Sequence, residues 1–374
     1  MGTGMIEQFA LVFIGGLLAT LLWLIPLRWL APRIGLIDHP EGRKEHDQPT
    51  PIVGGLAIIL GGVTGLGLLA LREGAHAVWA VLVLHRGFLF GATLLVAVGL
   101  WDDRKPIAAR YKLLMQVIAC IVAVLVDKAY VGDILISADL LVLTLGPLVI
   151  PFTVLVMLTV TNAINMIDGA DGLAGGLMMV ALAIMAKALT AAGWGSAILI
   201  FGLMGALSGF LLTNFPLRAN RPATVFLGDC GSLLLGFALA YLAINLSALP
   251  NRVFKPSMAL WLFFLPASDA IWLYLRRAWF GRAPFAPGRD HIHHLLMSRF
   301  KPREVTWILV GASALLSGGA YASERLGAPS YILIVGWIAL FFLYGYVTHR
   351  AWKHAWVKSR AKALAAHVTA TRVI

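Results

Sequence analysis

Charge is scarce in this chain. Only 13% of its 374 residues are charged and 60% are hydrophobic, with a mean hydropathy of +0.84. A soluble domain of this size needs far more polar surface than that, so the composition excludes a water-soluble enzyme and points to a polytopic membrane protein. Cysteine is scarcer still. Cys120 and Cys230 each lie in or beside an apolar run, so there is no disulfide framework and nothing is learned about redox compartment. Acidic residues are also few, 18 against 30 Lys and Arg, leaving a formal charge of +12. No aromatic residues alternate with the basic ones, so the excess is better matched to membrane orientation and anionic ligands than to nucleic acid. A Gly-rich Walker loop is missing, which argues against an ATPase, and so is the internal repeat expected of many transporters. The first apolar run, from about Phe9, has no charged n-region or small-residue cleavage site, so it is expected to be a retained helix.

What the chain has is long apolar runs. They fall at about 9–30, 52–71, 87–101, 113–127, 140–161, 173–191, 197–214, 227–247, 258–278, 304–322 and 330–350. Crossing a bilayer takes roughly 20 residues, so the expectation is an all-α polytopic membrane protein of about 11 transmembrane helices. Loops of such a chain alternate sides. Most of the Lys and Arg then collect on one side, while Arg72, Arg86, Lys128, Arg252, Lys255 and Arg325 fall on the other. The positive-inside rule makes the rich side cytoplasmic, with the N-terminus outside and the C-terminus inside. Residues 1–351 are expected to form one integral-membrane domain and 352–374 a basic cytoplasmic tail.

The polar clusters share that cytoplasmic side. They lie in loops 31–51, 102–112, 162–176, 214–232 and 279–303, and one site built from these five loops is the economical reading. The densest runs from Asn162 to Gly176, with Asn165, Asp168 and Asp171 and a glycine after each Asp. An Asp within a membrane segment costs roughly 2.5–3.5 kcal/mol on insertion scales, so such a pair reads as functional where one Asp-Gly alone would read as a turn. Asp102 and Asp103 are adjacent and point in different directions. Asp229 sits between Gly228 and Cys230-Gly231 at the mouth of a span. Carboxylate and amide oxygens are hard ligands that suit Mg²⁺, or Mn²⁺, together with substrate phosphates. His291, His293 and His294 raise the question of zinc, but no cysteine joins them and arginines surround them, which suits phosphate recognition better. A divalent cation beside Lys and Arg is the equipment of phosphoryl transfer. An ion-coupled transporter would carry its carboxylates in mid-span, whereas these gather at one face.

Four motifs carry a resemblance: Asp102-Asp103, Asn162-Ala-Ile-Asn-Met-Ile-Asp-Gly-Ala-Asp-Gly, Phe226-Leu-Gly-Asp-Cys-Gly-Ser and His291-Ile-His-His. With the Pro49 to Gly55 segment they resemble the polyprenyl-phosphate N-acetylhexosamine-1-phosphate transferases over nearly the whole chain. The histidine run and the basic tail are similar to the bacterial branch that starts O-antigen and enterobacterial common antigen. The branch that uses a muramyl-peptide donor has a different histidine pattern. The resemblance implies transfer of GlcNAc-1-phosphate from UDP-GlcNAc to undecaprenyl phosphate, with Mg²⁺ and release of UMP, at the bacterial inner membrane with the site facing the cytoplasm. A homodimer is left open. It also implies roles. Asp229 is the principal metal ligand with Asn165 beside it, and Asp102 or Asp103 deprotonates or orients the lipid phosphate. Lys112 contacts phosphate. Asp168, Asp171 and Asn214 lie near the uridine, and Arg289, His291, His293 and His294 hold the diphosphate or sugar. Asp168, Asp171 and His291 are counted with the catalytic set and Asn162 with the substrate contacts. Cys230 and Trp101 depart from the common pattern.

Overall fold

The protein is described from a computed structural model covering residues 3–40, 48–131, 134–137, 141–143, 145–189, 194–217, 222–248, 252–281, 288 and 290–371, with backbone alone for 134–137, 141–143, 194 and 354–371. Each of the eleven apolar runs contains helix, the fifth only from Val149 onward, after a strand and a short 3-10 turn. Lipid offers no partner to a backbone N–H or C=O, so an uncharged run satisfies them internally as helix. In order these are α1 (Thr3–Ile34), α2 (Gly54–Glu73), α3 (Ala75–Leu84), α4 (Arg86–Arg104), α5 (Ala109–Asp127), α6 (Val149–Ile167), α7 (Leu173–Ala188), α8 (Trp194–Asn214), α9 (Gly228–Ser247), α10 (Pro256–Leu262), α11 (Phe264–Trp279), α12 (Ile292–Met297), α13 (Pro302–Arg325) and α14 (Ser330–Thr371). Two short hairpins interrupt them. β1 (Ile37–Asp38) pairs antiparallel with β2 (Thr50–Pro51), and β3 (Ile134–Ser137) with β4 (Leu141–Leu143).

The count of spans differs from the expected eleven. Among the described residues eight helices are long and apolar enough to cross a membrane, or up to ten if two bent pairs each count as one. The remaining apolar run, α7, has 16 helical residues and is packed against α8, α9 and α13. Both bent pairs turn by 80°, at His85 between α3 and α4 and at Phe263 between α10 and α11. A new helix start exposes N–H groups that need acceptors. At the first break Asp127, from the end of α5, accepts from Gly87 and Phe88 N–H, each at 2.7 Å. His85 is fully buried there, with Nδ1 2.8 Å from the Tyr241 hydroxyl.

The centre of the bundle is α9. Its apolar window is 94% buried, and it packs on α2, α4, α6, α7 and α10. Small residues allow that approach. A Cβ on Gly55 of α2 would stand 2.4 Å from the Gly231 nitrogen, and one on Gly99 of α4 would stand 2.5 Å from the Cys230 nitrogen. These contacts lie in the first turn of α9, so they set the height and tilt of its N-terminus. Further hydrogen bonds gather the loops at that end. Gly54 N–H reaches Phe226 O at 2.9 Å, Phe226 N–H reaches Pro51 O at 2.8 Å, and Arg104 Nε reaches Ile34 O at 2.7 Å. On the far side of the same end, Thr306 Oγ1 of α13 donates to Asp171 O at 2.9 Å.

Candidate active site

The C-terminal ends of α4, α6 and α8 meet the N-terminal ends of α5, α7 and α9, and most of the sequence-expected residues converge there. Asp103, in the last turn of α4, accepts from Asp229 N–H at 2.7 Å and Cys230 N–H at 3.1 Å. It therefore caps α9 from a different helix, fixing the residue whose carboxylate faces the site. Gly228, just before Asp229, has φ +74°, and a Cβ on it would meet the Asp103 carboxylate at 2.7 Å. Only glycine fits both conditions. Asp102 turns the other way, accepting Ile107 N–H at 2.6 Å and the Lys112 ammonium at 2.7 Å. Lys112, in the first turn of α5, also pairs with Asp229, so one cation bridges two carboxylates from α4 and α9.

From α6, Asn165 Nδ2 donates to Asp229 Oδ1 at 2.7 Å and lies 2.9 Å from Ser232 Oγ. A carboxylate accepts only, so the amide nitrogen must face Asp229 and Asn165 orients it. Asp168, at the end of α6, makes no hydrogen bond among the described residues. Burial pushes its carboxyl well above the usual carboxylate range, and the nearby Asp229, Asp103 and Asp171 push it the same way. Several carboxylates near one lysine are an arrangement short of positive charge. Hard oxygen donors in that state suit a divalent cation, which Asp168 and Asp229 would hold. No three His, Cys, Asp or Glu groups among the described residues converge to hold an ion unaided.

The other expected residues fall in different places. Asn162 donates to Gln116 Oε1 at 2.6 Å and to Leu158 O at 2.9 Å, so it ties α6 to the buried Gln116 of α5. Asn214 is buried, with Oδ1 accepting Gly172 N–H and Nδ2 donating to Val225 O, each at 2.8 Å. Both its groups are spent on backbone, so it joins the α7 start to the loop before α9. Its amide is thereby directed at the fold. The Asp171 carboxylate accepts Ala223 N–H at 3.1 Å in that same loop. His293 is 1% exposed, and its ring lies where a Cβ on Gly169 would be, 2.3 Å from Nε2. Burial, then the neighbouring His294 and His291, push it down to about 3, against a weaker upward pull from Asp269, so it is neutral. His294 is tilted against it with ring centroids 4.1 Å apart. Arg289 lies outside the described residues.

Sequence reasoning missed Asp269 and Tyr344. His291 Nδ1 is 2.6 Å from Asp269, and Tyr344 donates to the same carboxylate. The available signal was a single Asp inside the ninth apolar run.

A family profile described as Glycosyl transferase family 4 matches residues 85–247. The undecaprenyl-phosphate alpha-N-acetylglucosaminyl 1-phosphate transferase of Salmonella typhi is 33% identical over 349 residues, covering 92% of each chain. The chain belongs to glycosyl transferase family 4. The enzyme of the same name from Escherichia coli (strain K12) is 32% identical over 348 residues, again 92% of each chain. A probable undecaprenyl-phosphate N-acetylglucosaminyl 1-phosphate transferase of Bacillus subtilis (strain 168) is 32% identical over 78% of each. The part of this family 4 protein matched by the profile runs from the α3–α4 break to the end of α9, and so holds the whole carboxylate cluster. The histidines lie beyond it, in the part that the 92% matches reach.

Proposed function

We propose that this protein transfers GlcNAc-1-phosphate from UDP-GlcNAc to undecaprenyl phosphate and releases UMP. The names of its relatives support the two substrates. The observation that carries the chemistry is the Lys112 ammonium held between Asp102 and Asp229, beside Asp168 with like-charged neighbours. The positive-inside distribution supports a cytoplasmic site in an inner membrane crossed about eleven times, and the product would start lipid-linked glycans such as O-antigen.

An oxygen of the lipid phosphate attacks the β-phosphorus of the UDP-sugar, the phosphoanhydride bond breaks, and UMP leaves with the electron pair. One anhydride replaces another, so the equilibrium lies near unity. The protein must bring two anions together, and Lys112 offsets that repulsion where it is least screened. A bound Mg²⁺ would supply further charge neutralisation at the phosphates. Asp103 spends both oxygens on the α9 backbone and Asp102 on Ile107 and Lys112, so these two position the machinery. Asp229, steadied by Asn165, and Asp168 face the substrates.

A donor panel tests the reading. Purified protein with undecaprenyl phosphate should release UMP from UDP-GlcNAc far faster than from the UDP-muramyl peptide. Equal turnover of the two donors would remove the assignment.

A further inference from the structure

α13 and α14 each pack on α10, α11 and α12, and a groove of 240 Å³ opens between them. Phe264 of α11, Leu316 of α13 and Leu340, Leu343 and Val347 of α14 line it. Its two polar neighbours have their hydroxyls engaged, Tyr344 on Asp269 at 2.6 Å and Thr348 on Tyr344 O at 2.8 Å. An apolar cavity of roughly 150 Å³ already holds a benzene ring, so this one has room for a length of hydrocarbon chain. Both flanking helices are candidate spans, and Leu343 and Val347 are exposed, so the open side faces lipid.

The groove has a charged end. Leu340, Leu343, Val347 and Arg350 fall three or four residues apart and so share one face of α14, where the stripe turns from apolar to basic. From Leu340 to Arg350 the helix rises about 15 Å, half of the ~30 Å hydrocarbon core. The stripe therefore matches one leaflet. Arg350 is exposed, lies over the Tyr346 ring at 5.1 Å and pairs with no carboxylate among the described residues. Asp290 is taken by Arg276 and Arg277, at 3.2 and 3.6 Å. Arg276 in turn lies over Trp352 at 5.7 Å, and Phe280 stacks on His349 at 6.5 Å, so aromatic contacts hold the end of α11 against this part of α14. Trp279 and Phe280 are exposed beside them, as side chains of a headgroup layer are. After Glu324 the chain has no Asp or Glu, while Arg350, Lys353, Lys358, Arg360, Lys362 and Arg372 follow the apolar stripe. An apolar slot ended by uncompensated positive charge complements a hydrocarbon chain with an anionic headgroup. A zwitterionic headgroup brings its own cation and gains less there.

We propose that the groove between α13 and α14 binds one anionic glycerophospholipid of the surrounding bilayer, with an acyl chain along Leu340, Leu343 and Val347 and the phosphodiester at Arg350. The lipid fills the slot beside Phe264, one residue past the 80° break, and braces α14 on the bundle. Stability then depends on the headgroup charge of the bilayer. This goes beyond the transferase reading and is tested by binding alone.

Native mass spectrometry of the full-length protein in detergent, titrated with phosphatidylglycerol or phosphatidylcholine, reads the affinity of the first lipid retained. Phosphatidylglycerol should bind the wild type more tightly and raise its melting temperature. Arg350→Gln should weaken phosphatidylglycerol about fivefold, the effect of one basic side chain at an anionic surface, and leave phosphatidylcholine unchanged. Val347→Trp narrows the slot at an exposed position and keeps the charge, so it should weaken both lipids. A variant with Lys358→Gln, Arg360→Gln and Lys362→Gln should keep the tight first phosphatidylglycerol. Equal affinity of the wild type for the two lipids, or a tail variant that loses as much as Arg350→Gln, would show diffuse attraction without a built site and overturn the proposal. Undecaprenyl phosphate supplies the remaining arm. Displacement of the first phosphatidylglycerol by an equimolar amount would give the groove to the acceptor lipid, overturning the proposal and leaving the transferase reading in place.

Discussion

At the residue scale, Asp229 and His293 make the sharpest demands. Asp229→Asn keeps shape and removes charge, and the Asp103 cap engages only its backbone N–H. Membrane insertion and melting temperature should therefore survive while UMP release falls by ~10²-fold or more, the size of a major electrostatic contribution. Near wild-type turnover at limiting Mg²⁺ would move the principal ligand to Asp168. His293 gives a pH dependence. Its folded-state value of about 3 lies below the ordinary 6.5, so its contribution is complete above pH 6.5 and is lost as pH falls toward 3. Melting curves in detergent should show stability declining below pH 6.5 by up to ~1.4 kcal/mol per pH unit from this group. His293→Asn should flatten that decline between pH 6.5 and 5, where few carboxylates titrate, and an unchanged slope would argue against a buried neutral ring.

At the scale of elements, the site depends on how closely α2 and α4 approach α9. The Cβ of Gly99→Ala would arrive 2.5 Å from backbone of α9, which cannot yield as a flexible side chain can. The helices must separate, at a cost of roughly 1–3 kcal/mol for overpacking. Separation also draws Asp103 away from the Asp229 and Cys230 N–H groups. Gly99→Ala should thus lower both melting temperature and turnover, whereas Gly62→Ala, with nothing within 4 Å of the added atom, should change neither. Equal behaviour of the two variants would mean that the close approach is unimportant. The 80° breaks belong to this scale too. The one at Phe263 starts α11 afresh, and α11 carries Asp269 to the histidines of α12.

For the whole molecule the questions are orientation and charge. A reporter fused after Arg372 should work only if it functions in the cytoplasm, and a fusion active only outside would reverse the topology. The crowding of Asp168 by Asp229, Asp103 and Asp171 should also make the apo protein sensitive to divalent cations. Because the folded-state value of Asp168 is raised, its contribution is complete below the ordinary carboxylate range and is lost as pH rises through the raised value. Chelation should consequently abolish turnover reversibly, and added Mg²⁺ should raise the melting temperature more at pH 8 than at pH 5. Full activity in excess chelator would show that the lysine and arginines suffice.

The helical class, the polytopic membrane character and the gathering of Asp102, Asp103, Lys112, Asn165, Asp168 and Asp229 were legible in the sequence, whereas the described residues hold eight to ten candidate spans in place of the expected eleven. Each follows from local rules, since uncharged runs must be helical in lipid and alternating loops bring their motifs to one side. The donors and acceptors that divide the labour were not legible. Asn162 and Asn214 sit in the same motifs as the site residues, and only packing shows their amides turned to Gln116 and to backbone. Asp103 and Asp102 look alike as neighbours, yet a helix turns one toward α9 and the other toward Lys112. Asp269 is twenty-two positions from His291, a pairing that no spacing rule predicts. Composition and periodicity therefore determined the solvent, the elements and the end of the bundle at which the polar motifs meet. The tertiary structure alone decided which polar groups are spent on holding helices together and which remain for substrate, because a hydrogen bond between helices depends on their packing and not on their order in the chain.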